Sequence, residues 1–153
     1  MVNIITDSTS DLGADIVAEY KVTVIPLSVM IGGKVNQDGV DLFQNDLFTL
    51  VERHEELPKM AATSVGEFKE AFDRPGESVF IGISSKLSTI FQNACLALEM
   101  LPAGKVRVVD SLNLSTGLAY WLCALPNYAT RVFHQGKLSI NSCLCWAKCA
   151  VHL

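Results

Sequence analysis

The chain has 153 residues, 50% of them hydrophobic and 18% charged, and its 12 Lys/Arg against 16 Asp/Glu leave a formal net charge of -4. That is enough for one domain with a real hydrophobic core, too short for two substantial ones, and too apolar for a disordered chain. The acidic balance and the lack of any Lys/Arg cluster exclude a nucleic-acid footprint, because nonspecific phosphate attraction needs concentrated positive charge.

Val2 to Thr6 is a short apolar run predicted as a strand, and Asp7-Ser8-Thr9-Ser10-Asp11 follows it as a loop leading to a helix start. Leu12, Ile16 and Tyr20 recur at four-residue spacing and predict a helix with one buried stripe. Val22 to Ile25 and Leu27 to Ile31 are β-rich, broken by Pro26 and closed by Gly32-Gly33, so a bend and then a hairpin are expected, with another turn at Asp38-Gly39. Leu42 to His54 places Phe43, Leu47, Leu50 and Val51 on one helical side. Ser64 followed by Glu67 is a capping box opening a further helix, whose inward face is Val65, Phe68 and Phe72. Val79 to Ile83 is a buried-strand candidate; Ser84-Ser85 follows, then a helix carrying Leu87, Ile90, Phe91, Ala94, Cys95, Leu98 and Leu101. Pro102-Ala103-Gly104 turns the chain into the strand candidate Val106 to Val109, after which Asp110-Ser111 leads to a helix starting near Ser115.

Strand, hydroxyl loop and helix thus recur three times, which predicts an α/β fold: a layered, mainly parallel sheet with helices on both faces. Pro126 should stop or kink the last helix, Tyr128 to Gln135 would resume it, and Gly136-Lys137 reads as its cap. Residues 137–153 form an atypical helical or disordered tail. The start shows no basic region followed by an apolar core, and the apolar stretch from Leu112 to Leu125 is too broken to span a bilayer. No signal peptide, no stable membrane insertion and a cytoplasmic location are therefore expected. Five cysteines, three of them Cys143, Cys145 and Cys149, do not form an even, spread disulfide framework. With His152 their spacing departs from the usual structural-zinc patterns, so no metal is expected.

Hydroxyls follow the strand candidates at Thr6, Ser8, Thr9 and Ser10, at Ser84, Ser85 and Ser88, and at Ser111 and Ser115, while Thr63 and Ser64 open a separate helix. In an open α/β sheet the loops beyond the carboxyl ends of the strands meet at a crevice, where hydroxyls and helix amides can neutralise an anion without a lysine. A carboxylate and a phosphate fit such a site equally. Taken singly, Ser64 and Ser115 also read as caps, Thr9 and Ser10 as turn residues, and Asp7 and Asp110 as acceptors of loop amides. No Gly-x-Ser-x-Gly elbow and no Gly-rich phosphate loop is present, and His54 sits in a charged, solvated run.

Asp7-Ser8-Thr9-Ser10-Asp11, Thr63-Ser64-Val65-Gly66-Glu67-Phe68, Ser84-Ser85-Lys86-Leu87-Ser88 and Val109-Asp110-Ser111, in this order, resemble the amino-terminal domain of the DegV family over residues 1–136. The resemblance implies noncatalytic binding of a long-chain fatty acid, without a cofactor, for presentation to a fatty acid kinase catalytic subunit. Ser88 is then the first head-group contact, with Thr63, Ser64, Ser8, Ser85 and Ser115 around it. Ile90 and Phe91 either line an apolar slot or pack as ordinary helix core. Where the family commonly has Thr-Ser-x-Pro-Ser, ungapped alignment puts Met60 on the threonine and Thr63 on the proline, and Thr89-Ile90-Phe91 stands for Gly-Thr-Tyr. The family's second domain is absent from the sequence, so an acyl chain would be left covered on one side unless a homodimer closes over it. A small phosphoryl-transfer or phosphatase-like enzyme using Asp7 or Asp110, and a structural fragment without an intact site, are the competing readings.

Overall fold

The computed structural model describes residues 2–120 and 122. Among them the elements run, in chain order, β1 (Asn3–Asp7), α1 (Ala14–Tyr20), β2 (Thr23–Ile25), β3 (Ser28–Ile31), β4 (Lys34–Gln37), α2 (Gln44–His54), β5 (Lys59–Ala61), α3 (Val65–Phe72), β6 (Ser78–Gly82), α4 (Ile90–Leu98) and β7 (Val106–Asp110). A 3-10 turn occupies Ser8–Ser10, and residues 116–120 are helical. The kink expected at Pro126, the helix expected over residues 128–135 and the cysteine-rich tail lie outside the described residues.

The apolar runs of β1, β2, β6 and β7 pair as a parallel sheet in the order β2-β1-β6-β7. In a parallel register, alternate side chains of neighbouring strands stack on the same face. Ile5 lies opposite Phe80 and Ile4 opposite Val79, and the two pairs belong to different cores. On one face, Ile5, Phe80 and Val106 pack under Phe68 and Phe72 of α3 and Ile90, Ala94 and Ala97 of α4. On the other, Ile4, Val79 and Ile81 pack with Leu118 and Leu122, flanked by Leu12 and by Tyr20 of α1. Both faces are apolar because both are covered, as parallel sheets require. Phe68, Phe72 and Phe80 form a ring triad with centroids 5.0–5.7 Å apart. Each ring is fully buried.

The remaining strands form a separate antiparallel sheet, β4-β3-β5, beside α2, so the strand layer is divided into a parallel sheet and a smaller antiparallel one. β4 follows the expected Gly32-Gly33 turn, where both glycines have positive φ and a side chain on Gly32 would meet the His54 ring at 2.6 Å. β5 has no counterpart among the expected elements. The fourth helix begins at Ile90 and ends at Leu98, leaving Leu87 and Leu101 outside it. The reason is local: Ser84 Oγ accepts the Lys86 N–H at 3.2 Å and Ser88 Oγ the Ile90 N–H at 3.3 Å, so these serines hold the backbone in turns. No helix among the described residues is long and apolar enough to cross a membrane.

Candidate functional site

The order β2-β1-β6-β7 sends the chain from β1 to one side and from β6 to the other. α1 contributes to the core on one face and α4 to that on the opposite face. Such a reversal opens a crevice at the carboxyl ends of the two central strands. Asp7 ends β1 there, and Gly82 leads into Ile83 at the end of β6. A side chain at Gly82 would fall 2.6 Å from the Phe80 ring and 2.9 Å from Asp7 Oδ2, so glycine lets the two strand ends close on each other.

Three loops meet at this edge and are sewn together by hydrogen bonds. Asp7 Oδ1 accepts the Thr9 N–H at 3.0 Å and the Thr9 hydroxyl, and its Oδ2 accepts the Ile83 N–H at 3.0 Å. Asp110 Oδ1 accepts the N–H groups of Ser85 at 3.1 Å and Leu112 at 3.0 Å. Ser84 N–H donates to Asn113 O at 3.0 Å, and Ser115 N–H donates to Thr9 O at 3.0 Å. Ser115 has positive φ and precedes the helical residues 116–120, so it turns the chain into that helix. Asp7 is fully buried, and burial pushes its carboxyl above the ordinary range, against the opposing pull of its bonds to Thr9 and Ile83. Both aspartates thus accept backbone amides from two loops each. No group of three or more His, Cys, Asp or Glu suited to a metal occurs among the described residues.

The expected hydroxyls divide by what they already do. Ser8 Oγ accepts the Leu27 N–H at 3.2 Å, tying the first loop to the β2–β3 junction, and its own proton has no acceptor among these bonds. Ser88, half-buried, accepts the Ile90 N–H at 3.3 Å. Beyond that bond no side chain caps α4. Ser85 is half-buried and is placed by its amide. Ser64 is committed: it caps α3, accepting the Glu67 N–H at 3.3 Å and donating to Glu67 Oε2 at 2.6 Å. Thr63 is only 3% exposed, and its hydroxyl oxygen has no hydrogen-bond partner among the described residues. Its carbonyl accepts from Asn93 Nδ2 on α4 at 2.8 Å, while Ala61, two residues earlier, pairs with Ser28 beside the Ser8-bound Leu27. The segment around Thr63 is therefore tied to α4, which follows Ser88, and to β3, whose preceding residue Leu27 donates to Ser8. Ile90 is fully buried in the core, Phe91 is half-buried, and Met60 is 58% exposed on the edge strand β5.

Two features escaped sequence reasoning. Ser10 is buried with a hydroxyl that has no partner among the described residues, a state that only tertiary packing creates. A cleft of ≈ 360 Å³ lies between β3 and α2, lined by Asp11, Val29, Asp38, Leu42, Phe43, Gln44 and Leu47, one residue beyond the Ser8–Ser10 turn.

The family model described as "Uncharacterised protein, DegV family" matches residues 1–148, past residue 136. A DegV domain-containing protein of Clostridium acetobutylicum is 33% identical over 140 residues, covering 89% of this chain and 49% of that protein. One from Staphylococcus aureus is 37% identical over 121 residues, 76% of this chain and 43% of the relative. The chain thus spans about half the length of the curated relatives it matches. Among solved structures, a DegV family protein from Thermus thermophilus described by its fatty acid binding superimposes with a TM-score of 0.77 at 26% identity, over 96% of this chain and 52% of that one. A stearic acid-binding protein from Eubacterium ventriosum gives 0.72 at 26% identity, over 94% and 51%.

Proposed function

Since the chain belongs to the DegV family, we propose that it binds a long-chain fatty acid without transforming it, the carboxylate resting on hydroxyls at the carboxyl ends of β1 and β6. The observation that carries this reading is the Thr63 hydroxyl, buried and without a hydrogen-bond partner among the described residues, on a segment hydrogen-bonded to α4 on one side and paired with β3 on the other. Leaving a buried hydroxyl unpaired costs about 1–3 kcal/mol, a cost that a ligand acceptor oxygen removes. Ser88 and Ser8 supply further hydroxyl protons, and no lysine or arginine is needed to hold a singly charged head group when several donors converge. Ser85 and the uncapped start of α4 complete the polar end, with Ser64 and Ser115 shaping the segments on either side. The apolar side chains of the cleft between β3 and α2 offer the acyl chain a surface close to the first loop.

The binding lobe in this reading is residues 1–136. It presents the head group to a fatty acid kinase catalytic subunit in the cytoplasm, and a homodimer closes over the acyl chain. The fatty acid binding of the Thermus thermophilus protein and the stearic acid of the Eubacterium ventriosum one support the ligand class. The engagement of Asp7 and Asp110 by amides favours loop-fixing over phosphoryl transfer.

Displacement of a fluorescent fatty acid from the purified full chain tests the proposal. Stoichiometric binding is expected, with Ser88→Ala and Thr63→Val each weakening it about tenfold, the value of a hydrogen bond to a charged group. Thr63→Val should also raise the melting temperature of the unliganded protein, because it removes a buried hydroxyl without a partner among the described residues. Affinity unchanged in both variants, or no binding by the wild type, would sink the reading.

A further inference from the structure

We propose that Asp7 and Asp110 act as a two-carboxylate clamp that sets the β6–α4 loop, and with it the Ser85 and Ser88 hydroxyls, for head-group binding; the inference rests on the fatty-acid reading above. β6 lies between β1 and β7, and the two strands that flank it both end in aspartate. From one side Asp7 Oδ2 holds the first loop amide, Ile83, at 3.0 Å, and from the other Asp110 Oδ1 holds the third, Ser85, at 3.1 Å. Each carboxylate also holds its own loop, through Thr9 and Leu112 respectively, so three loops share one pair of anchors.

The rest of the loop is closed onto itself and onto the loop after β7. The Ser84 amide donates to Asn113 O, Lys86 to Ser84 Oγ, and Leu87 and Ser88 to Ser84 O at 2.9 and 3.2 Å. With the amides from Ile83 to Ser88 all committed, this stretch has its hydroxyls, not its N–H groups, to offer an anion. Where those hydroxyls point depends on the clamp. Asp7 and Asp110 are positioning residues in this scheme: they act on the ligand through the loop.

The two sites differ in what a substitution does. Asp7 uses both oxygens, so Asp7→Asn leaves one amide facing an NH2 group. Asp110 uses Oδ1 for both of its bonds, so Asp110→Asn can keep them while Asp110→Ala cannot. The experiment measures affinities of the full chain for palmitic acid and for hexadecan-1-ol, which share the alkyl chain and differ in the head group, together with hydrogen exchange at the Ile83 and Ser85 amides. Asp110→Ala should weaken palmitic acid about tenfold and leave hexadecan-1-ol within about twofold, with faster exchange at Ser85, and Asp110→Asn should restore both. Asp7→Asn should show the same selectivity with faster exchange at Ile83.

Faster exchange with unchanged palmitic acid affinity would overturn the clamp, and so would equal losses for acid and alcohol, which would report general destabilisation. Should Asp7→Asn fail to fold, the Asp110 pair decides alone. A wild type that binds neither compound overturns the fatty-acid reading itself, an outcome distinct from a wild type that binds palmitic acid and variants that bind it equally well.

Discussion

Asp7 brings an ionisable carboxyl into a place without water, and three donors compensate only partly for the lost hydration, since its pKa stays above the ordinary value of 3.8. Below that value the group is protonated in folded and unfolded chains alike. As pH rises, the unfolded chain ionises first and the folded one lags, so the stability Asp7 contributes is full in acid and declines until the folded carboxyl has also ionised. Asp7→Asn has no such titration. The difference in unfolding free energy between wild type and Asp7→Asn, from urea curves at several pH values, should therefore shift against the wild type as pH rises from below 3.8 through the folded pKa; a pH-independent difference would contradict the burial argument. The hydroxyls after the strands were legible in the sequence, because a β-rich run followed by Ser/Thr/Asp marks a strand end by composition alone. The unpaired state of Thr63 and Ser10 and the complete burial of Ile90 were not, since each depends on what distant segments bring against it.

Among the elements, α3 was the most legible. Ser64 and Glu67 form the expected reciprocal cap, and Phe68 and Phe72 are buried at the expected spacing. Ser64→Ala removes an acceptor for the Glu67 amide and should cost about 1 kcal/mol. Because the same hydroxyl already donates to Glu67, its loss should change fatty-acid affinity less than Ser88→Ala does. Denaturant unfolding and ligand displacement on the two variants separate the effects: equal losses of affinity would move Ser64 from cap to contact. β5 left no signal because its three residues are all exposed and carry no alternation, and only pairing with β3 makes them a strand. The start of α4 was misplaced for a related reason. Leu87 fits the helical period, but the turns held by Ser84 and Ser88 leave it 63% exposed.

At the scale of the molecule, α/β layering followed from three strand–loop–helix repeats, whereas the split into two sheets depends on pairings that periodicity does not encode. The divided arrangement also decides how an acyl chain would be held. The parallel sheet is covered on both faces, and the apolar surface it leaves near the polar loops is open: Leu87, and Phe43 at the cleft between β3 and α2, are both exposed. A fully enclosed methylene contributes about 0.8 kcal/mol to binding, so one covered on a single side should contribute roughly 0.4, or about twofold in affinity. From lauric to stearic acid, six methylenes apart, the dissociation constant should then fall roughly 60-fold on an open surface. A slope near the full value would require a second surface over the acyl chain, and sedimentation of the liganded protein would then reveal a dimer if that surface is another copy. Affinity independent of chain length would mean that the head group alone is held, leaving the hydroxyl crevice a site for small carboxylates and the apolar surface without a part in binding.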